Sequence, residues 1–337
     1  MTSGSGTAEW YARAAVELEA TSERQVSWAY GVADDPELLV LLDELPRERR
    51  QPSLVFAVAA WCGAPAVAYP EWRDFVVANW GAIAAAAGSR RTQTNEIGRC
   101  IPLLAGLSAF GGPIALVELG AAAGLCLALD RYEYRFDDQP LIGVGSPMLT
   151  TTTSGDGATP TRMPEIVWRA GVDLAPLDVR DADDVRWLEA LLPPDRPTRI
   201  ARLRAAIAAV RADPPRVVAG DALATLPALA AEARAAAPHA TLVVASLGTA
   251  VYLPPADRAA LPDAVAALGA HLVAFETAAA LPGIPERVAR MHAPEPTPFV
   301  LSVDGAPLAY ASAHGDRLSW LSDSSPARQP QLPDSAT

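Results

Sequence analysis

Apolar residues over 9–107 recur at the three- to four-residue spacing of amphipathic helices. Alanine, leucine, arginine and glutamate, which favour helix, fill most of the positions between them. The pattern predicts an all-helical N-terminal domain or cap over residues 1–110. Within it, residues 72–87 are predicted to form one amphipathic helix.

From Gly111 onward the pattern changes to short apolar runs, most of them followed by a segment with helical spacing. Strands are predicted at 114–119, 167–172, 217–219, 241–246 and 271–276. Helices are predicted to begin near Ala122, to cover 181–212 in one or two pieces, and to cover 222–236 and 255–269. Strands that alternate with helices are typical of a parallel sheet covered on both faces.

The remaining segments of the C-terminal part have a different composition. Residues 132–161 are rich in glycine, threonine, serine and proline, which predicts a hairpin or a surface excursion. The runs 299–303 and 308–312 predict a β-hairpin, and 317–321 predicts a last strand. The tail 322–337 is predicted to be disordered.

The composition excludes several classes of function. All 27 basic residues are arginine, which excludes a pyridoxal phosphate Schiff base and a Walker A phosphate site, since both need a lysine amine. The net charge of −12 argues against a nucleic acid partner, because duplex binding relies on clustered cations. Cys62, Cys100 and Cys126 are odd in number and far apart, which predicts neither a disulfide framework nor a metal site.

The hydropathy pattern also bears on location. No apolar run reaches the roughly 18 residues needed to span a bilayer, so no membrane partner is expected. Residues 1–9 lack the charged and apolar regions of a secretion signal. We therefore expect a cytoplasmic protein.

A glycine-containing loop follows the first predicted strand. Residues 117–125 read Val-Glu-Leu-Gly-Ala-Ala-Ala-Gly-Leu, and small residues there let the backbone approach a ligand closely. The dinucleotide fingerprint G-x-G-x-x-G is broken, because Ala122 and Leu125 occupy two of its glycine positions. The spacing of Glu118, Gly120 and Gly124 resembles the acidic-x-Gly-x-x-x-Gly loop of class I methyltransferases. An alanine- and glycine-rich turn that packs a helix on the sheet is the alternative interpretation.

Polar residues close three later strands in the order that such a cofactor site requires. Asp173 follows the second strand and is predicted to accept hydrogen bonds from ribose hydroxyls. Asp221 follows the third strand and is placed for an adenine amino group, and Ser246 closes the fourth. For each aspartate the alternative is a helix N-cap. The predicted cofactor-binding residues are Glu118, Gly120, Ala122, Gly124, Asp173, Asp221 and Ser246.

Residues 90–321 resemble an actinobacterial family of uncharacterised proteins known as domain of unknown function 2332. The resemblance is carried by the following segments: 91–99, 118–125, 129–132, 171–179, 184–188 and 220–221. It implies a class I methyltransferase-like fold, with a Rossmann-like, mostly parallel, seven-stranded sheet over 111–321 behind the helical domain. The interval between Gly124 and Asp173 exceeds one crossover helix, so an insertion is predicted at about 132–165.

The catalytic candidates follow from the chemistry of methyl transfer. An in-line displacement depends on alignment, and a general base is needed only where the acceptor must lose a proton. His292 is the best of four histidines, while Glu276 and Tyr252 follow the fifth and fourth strands and can face a substrate. A helix cap and a half-buried aromatic are the respective alternatives for these last two.

The polar segment 93–99 supplies the substrate-binding candidates Asn95, Glu96 and Arg99. We interpret it as a lid over the cofactor or as a clamp for an acceptor carboxylate through Arg99. An ordinary interhelical turn capped by Thr94 is the alternative.

These expectations combine into one leading function. We expect an S-adenosylmethionine-dependent methyltransferase that acts on a small-molecule acceptor held against the helical N-terminal part. No metal is expected, and a homodimer is the candidate assembly. A degenerate methyltransferase fold that binds without turnover is the alternative, and the broken fingerprint disfavours a nucleotide-dependent oxidoreductase.

Overall fold

The computed structural model describes residues 4–19, 21–93 and 95–323. Helices make up most of the described chain before the first strand. They are α1 (Gly4–Leu18), α2 (Glu23–Ala33), α3 (Pro36–Asp43), α4 (Pro52–Trp61), α5 (Tyr69–Ala78), α6 (Trp80–Ser89) and α7 (Cys100–Leu107). The single helix predicted over 72–87 is wrong, because Asn79 leaves helical geometry at φ −114° and ψ 17° and separates α5 from α6.

An aromatic cluster forms the core of these helices. The Trp28 and Trp72 rings are stacked with their centroids 4.9 Å apart, and Phe56 meets both edge-on. Trp187, which lies outside the N-terminal helices, is buried in the same core. The structure therefore does not set the helical segment apart as a separate all-helical domain.

Among the described residues, ten strands form one sheet in the order β2-β3-β11-β10-β9-β7-β6-β1-β4-β5. The strands are β1 (Pro113–Leu119), β2 (Glu133–Phe136), β3 (Met148–Ser154), β4 (Glu165–Asp173), β5 (Val217–Ala219), β6 (Thr241–Leu247), β7 (His271–Thr277), β9 (Phe299–Val303), β10 (Ala306–Ala311) and β11 (Arg317–Trp320). Two short strands, β8 (Met291–His292) and β12 (Ser322–Asp323), pair separately. The strands β5, β4, β1, β6 and β7 run parallel, while β9 and β10 form the predicted antiparallel hairpin.

Helices cover both faces of the parallel strands, as the alternating pattern predicts. The later helices are α8 (Ala182–Ala190), α9 (Pro197–Val210), α10 (Ala222–Ala236), α11 (Pro255–Ala267) and α12 (Ile284–Val288). Leu116 of β1 packs on one face in a core with residues of α7 and α9. Val117 packs on the other face in a core with residues of α10 and α11. A strand buried on both sides is an uninterrupted apolar run, which explains why these strands were found from the sequence.

The sheet is larger than the seven strands predicted, because the segment at 132–165 joins it. β2 and β3 pair in parallel and do not form a hairpin, and β3 pairs in parallel with β11. Leu149 and Thr151 of β3 are buried, while Met148, Thr150 and Thr152 are exposed. This threonine-rich alternation was interpreted as surface, but it is that of a strand with one buried face.

The chain after β1 does not form the α-helix predicted to begin near Ala122. Ala122 has φ +50° and Gly124 has φ +72°, and this left-handed geometry prevents helix propagation. A short 3₁₀-helix over Cys126–Arg131 follows instead. The predicted disordered tail lies outside the described residues from 324 onward, and within the described part no helix is long and apolar enough to cross a membrane.

Candidate functional site

A cavity of about 380 Å³ lies where β1, β4, β5 and β6 end. Gly120, Asp173, Gly220 and Gly248 line it from these strand ends, and segments from the helical part line it from above the sheet. We call it the carboxyl-edge cavity. Its volume is that of a small-molecule site, and open parallel sheets bind ligands at this edge.

A larger cavity of about 520 Å³ lies at the opposite end of the same strands. Gly112 and Glu165, which adjoin the starts of β1 and β4, line this amino-edge cavity together with Phe110 and Trp320. None of the predicted site residues lines it. The candidate chemistry therefore belongs to the smaller cavity.

The glycine loop contributes backbone to the carboxyl-edge cavity. Gly120 has φ +67°, and its N–H donates to the Val172 carbonyl at 2.8 Å. A Cβ at Gly120 would lie no more than 3.0 Å from three side-chain atoms of Thr249, so the two loops meet there without space for a side chain. Gly120 and Ala122 line the cavity, whereas the open side of Gly124 faces Val217.

Asp173 lines the cavity and also organises the glycine loop. One carboxylate oxygen accepts from Gln93 Nε2 and from the Ala175 N–H, both at 2.9 Å. The other accepts from the Ala122 N–H at 2.9 Å. The carboxylate thus joins the ends of β1 and β4 to the polar segment of the helical part. A ribose that binds here must share these oxygens or displace Gln93.

Asp221 combines the two roles that its sequence context suggested. It is the N-cap of α10, and its Oδ1 accepts from the Ala224 N–H at 2.9 Å. It is exposed and also lines the carboxyl-edge cavity. The second carboxylate oxygen therefore remains available to a ligand.

Ser246 and Glu276 lie below the cavity and do not line it. Glu276 is 2% exposed, and its Oε1 accepts from Ser246 Oγ at 2.6 Å, the Thr249 N–H at 2.8 Å and the Ala250 N–H at 3.0 Å. Burial raises the pKa of Glu276, although these hydrogen bonds partly oppose the shift. The pair holds the loop after β6, which carries Tyr252, and neither of its side chains lines the cavity.

Glu118 is buried at the end of β1 and also does not line the cavity. It is 3% exposed, and its Oε2 has no hydrogen-bond partner among the residues described. Burial raises the pKa of Glu118 well above the ordinary value, and the nearby guanidinium of Arg99 only partly offsets this. The buried carboxyl therefore favours its protonated form more strongly than an exposed glutamate does.

Two of the three predicted substrate-binding residues, Asn95 and Glu96, support the wall of the cavity and do not line it. Asn95 accepts from the Leu125 N–H at 3.2 Å and donates to the Ala121 carbonyl at 3.4 Å. Glu96, 5% exposed, forms an ion pair with Arg199 at 2.6 Å. Thr94, the alternative cap, lies outside the described residues.

The charge state of Glu96 follows from its surroundings. Burial alone would raise the pKa of Glu96, but the neighbouring His314 and the charge of Arg199 outweigh it and lower the pKa. Arg99, the third member of the segment, does line the cavity and donates to the Leu247 carbonyl. Of the three predicted substrate residues, only Arg99 faces the place where a ligand would lie.

The catalytic candidates are separated in the structure. Tyr252 is 72% exposed and lines the cavity. His292 is exposed on β8, pairs with Ser322 in the two-stranded sheet and does not line the cavity. Of the titratable side chains predicted to be catalytic, Tyr252 alone borders this cavity.

Several lining residues were not found from the sequence. They come from the loop before α4, from α4 itself and from the segment after α6: Glu48, Arg49, Gln51, Leu54, Arg91 and Thr92. The charged run at 47–51 marks a loop, but no spacing rule connects it with a sheet more than sixty residues later. The expectation that the helical part covers the site was the only signal.

No curated protein and no solved structure shows significant similarity to the chain. One family profile matches residues 8–320, and its description is "Uncharacterized protein conserved in bacteria (DUF2332)". The match confirms the resemblance inferred for residues 90–321 and extends it through the helical part. The chain belongs to the DUF2332 family of uncharacterised bacterial proteins.

Proposed function

We propose that this protein is an S-adenosylmethionine-dependent methyltransferase that acts on a small-molecule acceptor. The carrying observation is the carboxyl-edge cavity, which brings together Gly120, Ala122, Asp173 and Asp221 from three adjacent strand ends. These four residues were predicted independently as cofactor ligands. Arg99 and Tyr252 line the same cavity.

The strand order supports the proposal. The parallel strands follow the order β5-β4-β1-β6-β7, which is the 3-2-1-4-5 order of doubly wound nucleotide-binding folds. In that arrangement the ligand binds at the carboxyl ends of the strands, at the point where the strand order reverses. Here Gly120 and Thr249, which follow the first and fourth parallel strands, both line the carboxyl-edge cavity.

The residues of the cavity have distinct expected roles. When bound, S-adenosylmethionine would supply a methyl group whose carbon an acceptor lone pair can attack in line, with the thioether of S-adenosylhomocysteine as the leaving group. Asp221 accepts hydrogen bonds from the nucleoside through its free carboxylate oxygen, and Asp173 does so where Gln93 yields. The backbone at Gly120 and Ala122 allows close approach, and Tyr252 is placed to orient the acceptor or accept its proton.

A second candidate is a degenerate fold that binds the nucleoside without turnover. Two observations favour it. The Asp173 carboxylate already accepts three hydrogen bonds within the protein, and the 3₁₀-helix after the glycine loop offers no α-helix N-terminus to the ligand. This candidate predicts nucleoside binding without methyl transfer.

The test is a calorimetric titration with S-adenosylhomocysteine of the wild type and of Asp221→Asn. Asparagine preserves the N-cap of α10 but removes the charge, so we expect affinity to fall about tenfold, as for one charge-assisted hydrogen bond. Asp181→Asn is the matched control, because Asp181 is likewise an exposed N-cap, on α8, but does not line the cavity.

The outcomes separate the candidates. Absence of heat from folded wild type at millimolar ligand would overturn the proposal. Equal losses in both variants would place the effect outside the cavity and also contradict it. Binding without formation of S-adenosylhomocysteine from S-adenosylmethionine, across an acceptor panel, would favour the degenerate fold.

A further inference from the structure

Three arginines line the carboxyl-edge cavity: Arg49, Arg91 and Arg99. They come from three segments: the 3₁₀-helix Arg47–Arg49 before α4, the irregular segment after α6, and the 3₁₀-helix Ile97–Arg99 before α7. Within the described residues none of the three forms an ion pair with a carboxylate. The cavity therefore holds three guanidinium groups without a salt bridge among the described residues, although burial, which raises the pKa of Glu118 and Glu276, is partly opposed by the charge of Arg99.

The hydrogen bonds of these arginines leave most of their donors unused. Arg49 donates to the Arg90 carbonyl at 2.9 Å, and Arg99 donates to the Leu247 carbonyl. No side-chain hydrogen bond of Arg91 is found among the described residues. Each guanidinium has five N–H donors in a planar fork, and that geometry matches a carboxylate or a phosphate.

The carboxylates of the same cavity are not partners of these arginines. Asp173 is occupied by Gln93 and by two backbone N–H groups, and Asp221 caps α10. Glu48, the third lining carboxylate, forms no salt bridge with the three arginines in the described part of the chain. Elsewhere in this acidic chain, arginines such as Arg199 and Arg216 do pair with carboxylates. The separation of unlike charges within one cavity leaves both signs available to a ligand.

We propose that these arginines bind an oxyanion of the acceptor, a carboxylate or a phosphate. The inference rests on the proposed function and names its substrate class. The cofactor carries one carboxylate against an ammonium and a sulfonium, so its own net positive charge gives no reason for three unpaired cations. In a protein of net charge −12, a local cationic site selects an anionic acceptor from solution.

The experiment measures the thermal unfolding midpoint in increasing inorganic phosphate, with sodium chloride at matched ionic strength as reference. We expect phosphate to raise the midpoint specifically, since a ligand that binds the native state stabilises it. Arg91→Gln is the variant, because Arg91 is exposed and its side chain makes no hydrogen bond or ion pair within the described residues, while its backbone carbonyl still accepts from Trp187 Nε1. We expect its apparent phosphate affinity to fall about tenfold.

Arg162→Gln is the matched control, since Arg162 is an exposed arginine that lines the amino-edge cavity instead. It should retain the wild-type response to phosphate. A wild-type response no larger than that to chloride would overturn the inference, as would a full response in Arg91→Gln or a loss in Arg162→Gln.

A second arm separates the acceptor from the cofactor. We expect saturating S-adenosylhomocysteine to leave the phosphate response intact, because the two ligands occupy different parts of the cavity. Competition between them would overturn the inference, since the arginines would then hold the cofactor carboxylate. If S-adenosylhomocysteine binds but phosphate has no effect, the oxyanion inference is refuted and the proposed function is not. If phosphate stabilises the protein but S-adenosylhomocysteine does not bind, the methyltransferase proposal is refuted and the oxyanion site is supported.

Discussion

The two cavities lie at opposite ends of the same parallel strands and differ in chemistry more than in size. The amino-edge cavity is the larger, at about 520 Å³ against 380 Å³, yet Arg162 and Glu165 are its charged lining residues. The carboxyl-edge cavity is bordered by six charged side chains: Glu48, Arg49, Arg91, Arg99, Asp173 and Asp221. Volume alone would select the amino-edge cavity, whereas the larger number of charged side chains, on which specific recognition depends, borders the carboxyl-edge cavity.

The difference originates in strand direction. In a parallel sheet the loops at the carboxyl ends come together at one edge, so residues distant in sequence can converge there. Two hydrogen bonds between Asn95 and the glycine loop, and the ion pair of Glu96 with Arg199, hold this edge in place. The comparison can be tested at three points.

The largest expected effect follows from Arg199→Gln, which leaves the buried carboxylate of Glu96 without its ionic partner. Breaking a buried pair costs about 3–5 kcal/mol of unfolding free energy, measured by chemical denaturation at pH 7. Arg204→Gln is the control on the same helix, because its bridge to Glu189 is exposed and such bridges contribute about 0–1 kcal/mol. Similar losses of unfolding free energy in the two variants would contradict a stabilising role for the buried ion pair of Glu96 and Arg199.

The pH dependence of that difference has a definite sign. The folded-state pKa of Glu96 is lowered below its ordinary value of 4.5, so its ionised form contributes stability above that value. The contribution is lost as the pH falls through the lower folded-state pKa. The gap between wild type and Arg199→Gln should therefore narrow below about pH 4.5.

A smaller effect is expected from alanine at the two glycines that flank β1. Gly112 and Gly120 have φ of +76° and +67°, so each substitution costs about 1 kcal/mol from backbone geometry. A Cβ at Gly112 meets open space, whereas at Gly120 it meets Thr249. We expect Gly120→Ala to lower the unfolding free energy by about 2 kcal/mol more than Gly112→Ala does, measured by urea denaturation. Equal unfolding midpoints for the two variants would show that the Thr249 side chain moves aside without cost.

The last effect depends on pH and concerns Glu118, which is buried near the carboxyl end of β1. Burial raises its folded-state pKa, so its stabilising contribution is complete below the unfolded pKa and is lost as the pH rises. The glutamine in Glu118→Gln cannot ionise. The unfolding free energy of this variant should therefore rise relative to that of the wild type above about pH 4.5, by at most about 1.4 kcal/mol per pH unit. A pH-independent difference in unfolding free energy between pH 5 and 8 would show that Glu118 titrates normally.

The sequence predicted the parallel strands well because burial on both faces produces continuous apolar runs such as 241–246. For β2 and β3 the same reasoning left a hairpin and a surface excursion open, since short strands with one buried face resemble surface segments until their partners are known. The helix predicted after the glycine loop does not form, because Ala122 has a positive φ that an alanine in the sequence gives no reason to expect. Backbone geometry of that kind is set by the contact between Asp173 and the loop.

The residues of the candidate site also fall into those that the sequence predicted and those that depend on tertiary packing. Asp173 and Asp221 were found because they follow strands, and strand ends have a known relative position in a parallel sheet. Arg49 and Arg91 were missed because their place depends on how helices pack against the sheet. Glu118 was predicted to bind the cofactor and Glu276 to face the substrate, but both side chains are buried and neither lines the cavity.

The pairing of β3 with β11 joins Ser154 to Ser319 across 165 residues of chain, with their hydroxyls 3.0 Å apart. During translation the β2–β3 pair leaves the ribosome long before its partner strand does. Until β11 is made, β3 presents an open row of backbone donors and acceptors, which is the kind of edge that promotes association between chains. Synthesis of the protein is therefore expected to depend on chaperones that shield this edge, and truncation before Arg317 should yield aggregated material.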